Sequence, residues 1–409
     1  MSEASTSDSA PLLGNLFTPE FVADPYPTYR MIRETNPFLK IPGTEDWIAL
    51  RYDDCAAVLR DKRFGIDNDR RMRMGVGNDY MAQPAFASLA RMMLVADPPV
   101  HTRLRKLVVK AFDARSIEKL RGMIRQIARE LVDRMEDSKS GDVMTAFARL
   151  LPIQVICEML GIPQEDRHRF IEVDENAGRI LDPTPMTPQE LERANRDTLE
   201  GAAYFDDLCE RRRREPTDDL LTAMVQSETE HGKLTREELS ANISLLFGAG
   251  HETTVNLIGN GLLALYRNRD ELTKLKSDRS LIPNAVEELL RYDSSVQLSG
   301  RTALEDADIA GYRIDAGAQV MTLLGSANRD PAQYDDPERL DVARQNVKPL
   351  SFGGGIHHCL GAQLARIEGA EAFDELLARL PNLEIDDVAQ PKWKPTITLR
   401  GLVELPAHW

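Results

Sequence analysis

One cysteine constrains this chain more than any other residue. Cys359 lies in the run Phe352-Gly-Gly-Gly-Ile-His-His-Cys359-Leu-Gly361, with no second cysteine nearby. A lone cysteine cannot close a local disulfide or build a Cys-rich zinc site. Its thiolate can still bind one soft metal axially. The glycines let the backbone approach a flat ligand closely and adopt conformations other residues avoid. They also allow amide N–H groups to be aimed at the sulfur, which would hold it as thiolate. Two other readings stay open at this point. Residues 353–355 resemble a phosphate cradle, although no Lys-Ser/Thr pair follows them. Cys359 is otherwise an inert buried thiol, the usual state of a free cysteine.

The remaining cysteines, Cys55, Cys157 and Cys209, are scattered, which suits a reducing compartment better than a disulfide scaffold. The N-terminal run MSEASTSDSA is polar and has no apolar signal core. No stretch of eighteen apolar residues occurs, so no membrane-spanning helix is expected. The 51 basic and 66 acidic residues leave a net charge of −15, which argues against nucleic acid as a partner.

Periodicity predicts a mainly helical chain with a small β region. Helices are expected at 26–34, 53–60, 116–137 and 190–214, and strands at 47–51, 309–314, 319–323 and 397–405. Residues 64–96 read as loop, with Met72, Met74, Met81, Met92 and Met93 as core padding or an adaptable ligand lining. Arg211 to Arg214 read as a solvated helix face closed by Pro216. Thr235-Arg-Glu-Glu238 is a capping box, so a helix starts near Arg236. It is expected to reach about Leu265, roughly 45 Å. Its centre, Ile243 to Gly250, is apolar on nearly all faces and should be buried. Glycine within a helix costs about 1 kcal/mol against alanine, so Gly248 and Gly250 ask for a reason. Small residues would let a flat ligand lie against the helix, and a threonine hydroxyl there can bond a preceding carbonyl and loosen the helix locally.

Phe352-Gly353-x-Gly355-x-His357-x-Cys359-x-Gly361 resembles, at every fixed position, the haem-binding signature of cytochrome P450. Ala249-Gly250-x-Glu252-Thr253-Thr254 resembles that family's oxygen-activation motif. Asp97 to Arg105, Glu288-x-x-Arg291, Asn328-Arg-Asp-Pro331 and Asp336-Pro-Glu-Arg339 match further family segments, so the resemblance runs from about Tyr26 to Leu405.

The resemblance implies the cytochrome P450 fold: mainly α, a large helical region with a small β-rich region, and haem b between a long central helix and the cysteine loop. It also implies a flexible lead-in over 1–20 and a single domain over 21–409. Cys359 would ligate the iron. Phe352, Gly361, Ala249 and Gly250 would lie against the haem, and His101, Arg105, Arg301 and His357 would contact its propionates. Thr253 and Glu252 would be the hydroxyl and the acid of a proton relay; His251 falls at a variable position. Glu288, Arg291 and Arg339 would form a buried structural group. Met93, Leu94, Leu245, Ala249, Val296, Leu298, Ile397 and Thr398 would line a pocket for a largely hydrophobic small molecule. Gln297 and Ser299 would add a hydrogen bond, while Arg70, Arg71 and Arg73 read as solvated charges or as an attraction for a carboxylate.

The implied activity is monooxygenation: O2 is split to hydroxylate, epoxidise or demethylate the substrate. The 409 residues hold no reductase domain, so electrons from NAD(P)H are expected through a separate ferredoxin or flavodoxin and its reductase. Arg103, Lys106 and Lys110 would meet that acidic carrier. A cytoplasmic monomer without membrane or nucleic-acid partners is expected. Two alternatives are a haem-thiolate peroxygenase, isomerase or dehydratase, against which Glu252 and Thr253 argue, and a non-catalytic haem sensor.

Overall fold

The structure, a computed structural model, describes residues 18–109, 112–171, 177–227 and 234–409. The expected lead-in over 1–20 lies outside them except for its last three residues, and Lys110 lies outside them too. The chain divides into two compact units. One comprises the chain up to Ile66, Gly259–Cys359 and Ile385–Leu405; the other comprises Asp67–Ile258, Leu360–Glu384 and Pro406–Trp409.

The first unit is built on a five-stranded sheet. Its strand order is Phe38–Lys40, Trp47–Ala49, Gln319–Leu323, Leu298–Ala303 and Phe64–Gly65. Trp47–Ala49 runs parallel to Gln319–Leu323, and the other pairs are antiparallel. Successive strand residues point to opposite faces, and two apolar clusters obey that rule. Ala49 and Val320 join Cys55, Val58 and Leu59 of the Tyr52–Arg60 helix. Their neighbours Ile48 and Met321 face Tyr26, Tyr29 and Ile32 of the Tyr26–Thr35 helix.

Two β expectations change. The 309–314 segment is a hairpin, Ala307–Ile309 against Tyr312–Ile314, because Ala310 and Gly311 take φ of 53° and 82° at the turn. The 397–405 segment forms only isolated bridges, Val296 to Leu399 and Trp393 to Leu402, because it meets no continuous partner strand. Leu298–Ala303 is a further strand; its pairing with Gln319–Leu323 overrides the weak local propensity of Ser299 and Gly300.

Helices dominate the second unit. Arg121–Glu136 buries Ile124, Ile127, Ala128, Leu131, Val132 and Met135 on one stripe. Its other edge pairs with the Ala362–Arg379 helix: Arg121 and Arg125 donate to Glu371, and Arg129 donates to Glu375. The expected start at 116 is one element too early, because Asp113 caps a separate short helix, Ala114–Glu118. Pro188–Arg214 opens on a capping box, Thr187 with Glu190, and has proline in its first turn.

Arg212 departs from the solvated reading of its basic run. Its Nε donates to Asp219 at 2.6 Å, and Nη2 donates to the Gly161 carbonyl. The 64–96 loop reading is also corrected. Asn68–Val76 and Pro84–Leu89 are helices, the first capped by Asp67, the second started by proline. Met72 and Met93 are buried there, whereas Met81 is exposed. No helix among the described residues is long and apolar enough to cross a membrane.

Candidate active site

The cysteine loop belongs to the first unit. Two short 3₁₀ turns, Leu350–Phe352 and Gly355–His357, bracket its glycines. Gly353 and Gly355 take φ of 68° and 66°, the left-handed region that glycine enters without steric cost. Gly355 has a second reason. A Cβ there would run into the backbone carbonyl of Leu59, at the end of the Tyr52–Arg60 helix. A Cβ at Gly354 would sit 3.2 Å from the Leu59 side chain. The loop is thus pressed against a helix end, and its own Cys359 N–H is spent on the Phe352 carbonyl at 2.9 Å.

The Cys359 thiol is exposed, whereas Cys55, Cys157 and Cys209 are buried. Burial pushes the Cys55 and Cys157 thiols up, to about 12 for Cys157, so those two are inert. This contrast removes the buried-thiol reading of Cys359. No lysine follows the glycines, so the phosphate-cradle reading falls too. An exposed thiol on a cramped glycine loop fits an axial thiolate ligand.

The same unit holds the group expected to stabilise the fold. Glu288 and Arg291, three residues apart on the Ile282–Tyr292 helix, are both fully buried. Arg291 makes five hydrogen bonds: two to Glu288 and three to the carbonyls of Asn328, Pro337 and Arg339. The third side chain is Arg344, whose Nε donates to Glu288 Oε1 at 3.1 Å. The expected Arg339 is instead exposed, because Asp336 and Asp341 draw its guanidinium outward, at 3.2 and 3.1 Å. Two arginines lie five residues apart in one irregular segment, and only the folded backbone decides which turns inward.

Arg301 is buried on its strand and donates from Nη1 to Ser299 Oγ and the Gly300 carbonyl. Val296, Leu298, Ile397 and Thr398 lie in one region, since Gln297 N–H donates to the Thr398 carbonyl and Leu298 packs against the apolar cluster that includes Ile397. The Gln297 side-chain N–H groups are already engaged, while its Oε1 has no hydrogen-bond partner among the described residues. Its amide donates to the Ser294 carbonyl at 2.7 Å and to the Tyr26 hydroxyl at 3.2 Å.

The second unit holds the helix-borne residues. The long helix spans Arg236–Arg267 and is continuous through the Gly250 region. Its capping box is formed: Glu238 N–H donates to Thr235 Oγ1, and Thr235 N–H donates to Glu238 Oε2. Ile243, Leu245, Leu246 and Phe247 are buried, while Ala249 is exposed and Gly250 and Thr253 are half-buried. Thr253 Oγ1 donates to the Ala249 carbonyl at 3.1 Å, the expected back-bond, without breaking the helix. Glu252 is buried on the neighbouring face. A Cβ at Gly250 would lie 3.4 Å from Ile156, and one at Gly248 would meet nothing, so protein packing does not require either glycine.

His101 and Arg105 share a face of the Val100–Val108 helix, as their spacing predicts. Burial, then the nearby Arg105 charge, pushes His101 below its ordinary value, so Arg105 carries the charge on this face. Met93 is buried and Leu94 half-buried in the Met93–Val95 turn. Arg103 is half-buried and makes a two-pronged ion pair with Glu238, at 2.6 and 3.1 Å. Arg73 pairs with Asp69 on the surface, in keeping with a solvated charge.

Comparison with known proteins shows the family. The cytochrome P450 family model matches residues 78–399. The polyketide biosynthesis cytochrome P450 PksS of Bacillus subtilis is 42% identical, over 95% of this chain and 96% of its own. The 6-deoxyerythronolide B hydroxylase of Saccharopolyspora erythraea is 38% identical, over 96% and 98%. The crystal structure of P450BioI in complex with an acyl carrier protein ligated to hexadec-9Z-enoic acid superposes with a TM-score of 0.87. It is 36% identical and covers 95% of this chain and 99% of that one. With a cysteine loop, an oxygen-motif helix and a buried Glu-Arg pair of this kind, the chain belongs to the cytochrome P450 family of haem monooxygenases.

Proposed function

We propose that Cys359 is the axial thiolate ligand of iron protoporphyrin IX and that Glu252 and Thr253 handle the protons of the monooxygenation. The observation that carries this reading is the exposed Cys359 thiol on a loop whose Gly355 admits no side chain. When bound through a thiolate, haem supplies activation of O2, with one atom entering the substrate and the other leaving as water at the expense of two electrons and two protons.

The chain does the rest. Arg105 and Arg301 are the cations for the haem carboxylates, with His101 and His357 as further donors. Phe352, Gly361, Ala249 and Gly250 present small or flat surfaces to the ring. Thr253 Oγ1 holds its proton toward Ala249 O and keeps lone pairs open to an incoming donor. To pass a proton on, the hydroxyl must turn away from that carbonyl. Glu252 is the acid that replenishes it.

The pocket is assigned to Met93, Leu94, Leu245, Ala249, Val296, Leu298, Ile397 and Thr398, so the substrate is largely apolar. Relatives named for polyketide biosynthesis and for hydroxylation of 6-deoxyerythronolide B make polyketide-type molecules the first class to screen. Electrons come from NAD(P)H through a ferredoxin or flavodoxin and its reductase. Three buried thiols beside an exposed one suit a reducing cytoplasm.

The test is the reduced carbonyl complex of purified protein. It should show the strongly red-shifted Soret band of thiolate ligation, and Cys359→His should lose it. A histidine-type band from folded wild-type protein would overturn the assignment.

A further inference from the structure

Residues 83–95 depend on two asparagine side chains borrowed from other helices. The segment holds the six-residue helix Pro84–Leu89 and the turn Met93–Val95. So short a helix does not hold itself in water, and its N-cap residue, Gln83, makes no side-chain cap. The cap comes instead from Asn195 on the Pro188–Arg214 helix. Asn195 Oδ1 accepts from Ala85 N–H at 3.1 Å, and Nδ2 donates to Gln83 Oε1 at 2.7 Å. One orphan donor of the helix start is thereby satisfied.

The other end is held by Asn242, one turn beyond Glu238 on the long helix. Asn242 is 3% exposed. Its Oδ1 accepts from Met93 N–H at 2.9 Å, and Nδ2 donates to the Arg91 carbonyl at 3.0 Å and to its own helix at Glu238 O at 2.8 Å. Both donors and the acceptor are used, so the amide fits one placement of the segment only. Glu238 extends the hold, because its carboxylate takes Arg103 on the helix that follows.

We propose that Asn195 and Asn242 are positioning residues that clamp residues 83–95 in place as one wall of the substrate pocket, and so set the ligand sizes it accepts. This rests on the reading that Met93 and Leu94 line that pocket. Phe86, Leu89 and Met93 anchor the wall by burial, and side-chain hydrogen bonds fix the position of its ends. Each of these bonds is weak enough to open locally without unfolding the helices that supply it.

The test uses the haem-loaded wild type, Asn242→Leu and Asn195→Leu. Hydrogen exchange should rise at least tenfold at Arg91 to Val95 in Asn242→Leu and at Gln83 to Ala87 in Asn195→Leu, with the Arg121–Glu136 helix unchanged. Imidazole and the bulkier 4-phenylimidazole are then titrated by difference spectra. In Asn242→Leu the Kd for 4-phenylimidazole should shift at least fivefold while that for imidazole moves less than twofold. Unchanged exchange in the clamped segment, or a rise spread evenly over the chain, overturns the clamp. Faster local exchange with both Kd values moving together overturns the pocket-wall reading instead. Asn195 is half-buried on its helix, so its variant keeps the test decisive if Asn242→Leu does not fold.

Discussion

Arg344 reaches Glu288 and Arg339 does not: the Arg344 Nε to Glu288 Oε1 distance is 3.1 Å, while Arg339 turns outward to Asp336 and Asp341. Glu288 therefore shares its buried carboxylate between Arg291 and Arg344, and the Asp341 amide adds a third kind of donor. Removing one partner from a buried charge cluster costs about 3–5 kcal/mol, because the remaining charge is left uncompensated. An exposed pair contributes about 0–1 kcal/mol.

Arg344→Leu should accordingly lower stability by several kcal/mol and reduce haem content, whereas Arg339→Leu should cost about 1 kcal/mol or less. Urea unfolding midpoints and haem occupancy after purification check this. Equal losses in the two variants would show that Arg339 shares the burden.

Gly353 and Gly355 have nearly the same φ but different surroundings. At Gly353 an added Cβ would meet nothing within 4 Å, so Gly353→Ala should carry only the backbone cost of a nearly glycine-only conformation, φ 68° and ψ −152°, of order 1–3 kcal/mol. At Gly355 the new Cβ would also strike the Leu59 carbonyl, and backbone cannot step aside as a flexible side chain would. Gly355→Ala should therefore lose more stability and most of its haem. Thermal unfolding and haem content of the two variants, side by side, provide the check, and a Gly353→Ala variant as damaged as Gly355→Ala would contradict it.

These cases mark where sequence reading reaches its limit. The cysteine loop and the Thr235 capping box are legible because each is a local pattern whose chemistry depends on neighbours in the chain. Arg344 was missed because inward or outward orientation in an irregular segment is decided by a distant residue, here Glu288. The pairing of Leu298–Ala303 was hidden for the same reason: its partner strand begins sixteen residues beyond its end. The Gln297 N–H groups looked available because their partners, Tyr26 and the Ser294 carbonyl, are visible only in the fold. Asn195 and Asn242 carry no local signal at all, since a helical asparagine is ordinarily a weak helix former on a wet face.

Thr253→Ala should uncouple electron use from product formation while leaving ligand binding nearly intact. Among the described residues the hydroxyl bonds to Ala249 O, its own helix, so its loss removes a proton carrier without removing a tertiary strut. Glu252→Gln should instead slow turnover, since the acid that replenishes the hydroxyl is gone. NADH consumed, hydrogen peroxide formed and product made are compared in a reconstituted redox chain. A Thr253→Ala variant as tightly coupled as wild type would remove the relay role.

Glu368 should give the protein a stability that falls as pH rises. It lies on the Ala362–Arg379 helix, one turn before Glu371, but unlike Glu371 and Glu375 it meets no arginine among the described residues. It is 1% exposed, and the Thr254 hydroxyl lies close enough to favour the carboxylate slightly without making a well-formed hydrogen bond. Burial outweighs that and pushes the carboxyl up from 4.5 to about 8. Between those values the folded protein keeps a proton that the unfolded chain has released, so the unfolded state binds fewer protons and stability declines with pH. The decline should begin near the unfolded value, continue through neutrality and level off above about 8. At 1.36 kcal/mol per unit the full span is of order 5 kcal/mol, an upper bound because the buried site can relax around a charge. Glu368→Gln keeps the shape and removes the titration. Its unfolding free energy should be flatter than wild type from pH 5 to 8, and the gap between the two proteins should move in the variant's favour as pH rises. Urea titrations at several pH values measure both curves. Parallel curves would mean that Glu368 ionises in the folded protein as easily as in the unfolded chain.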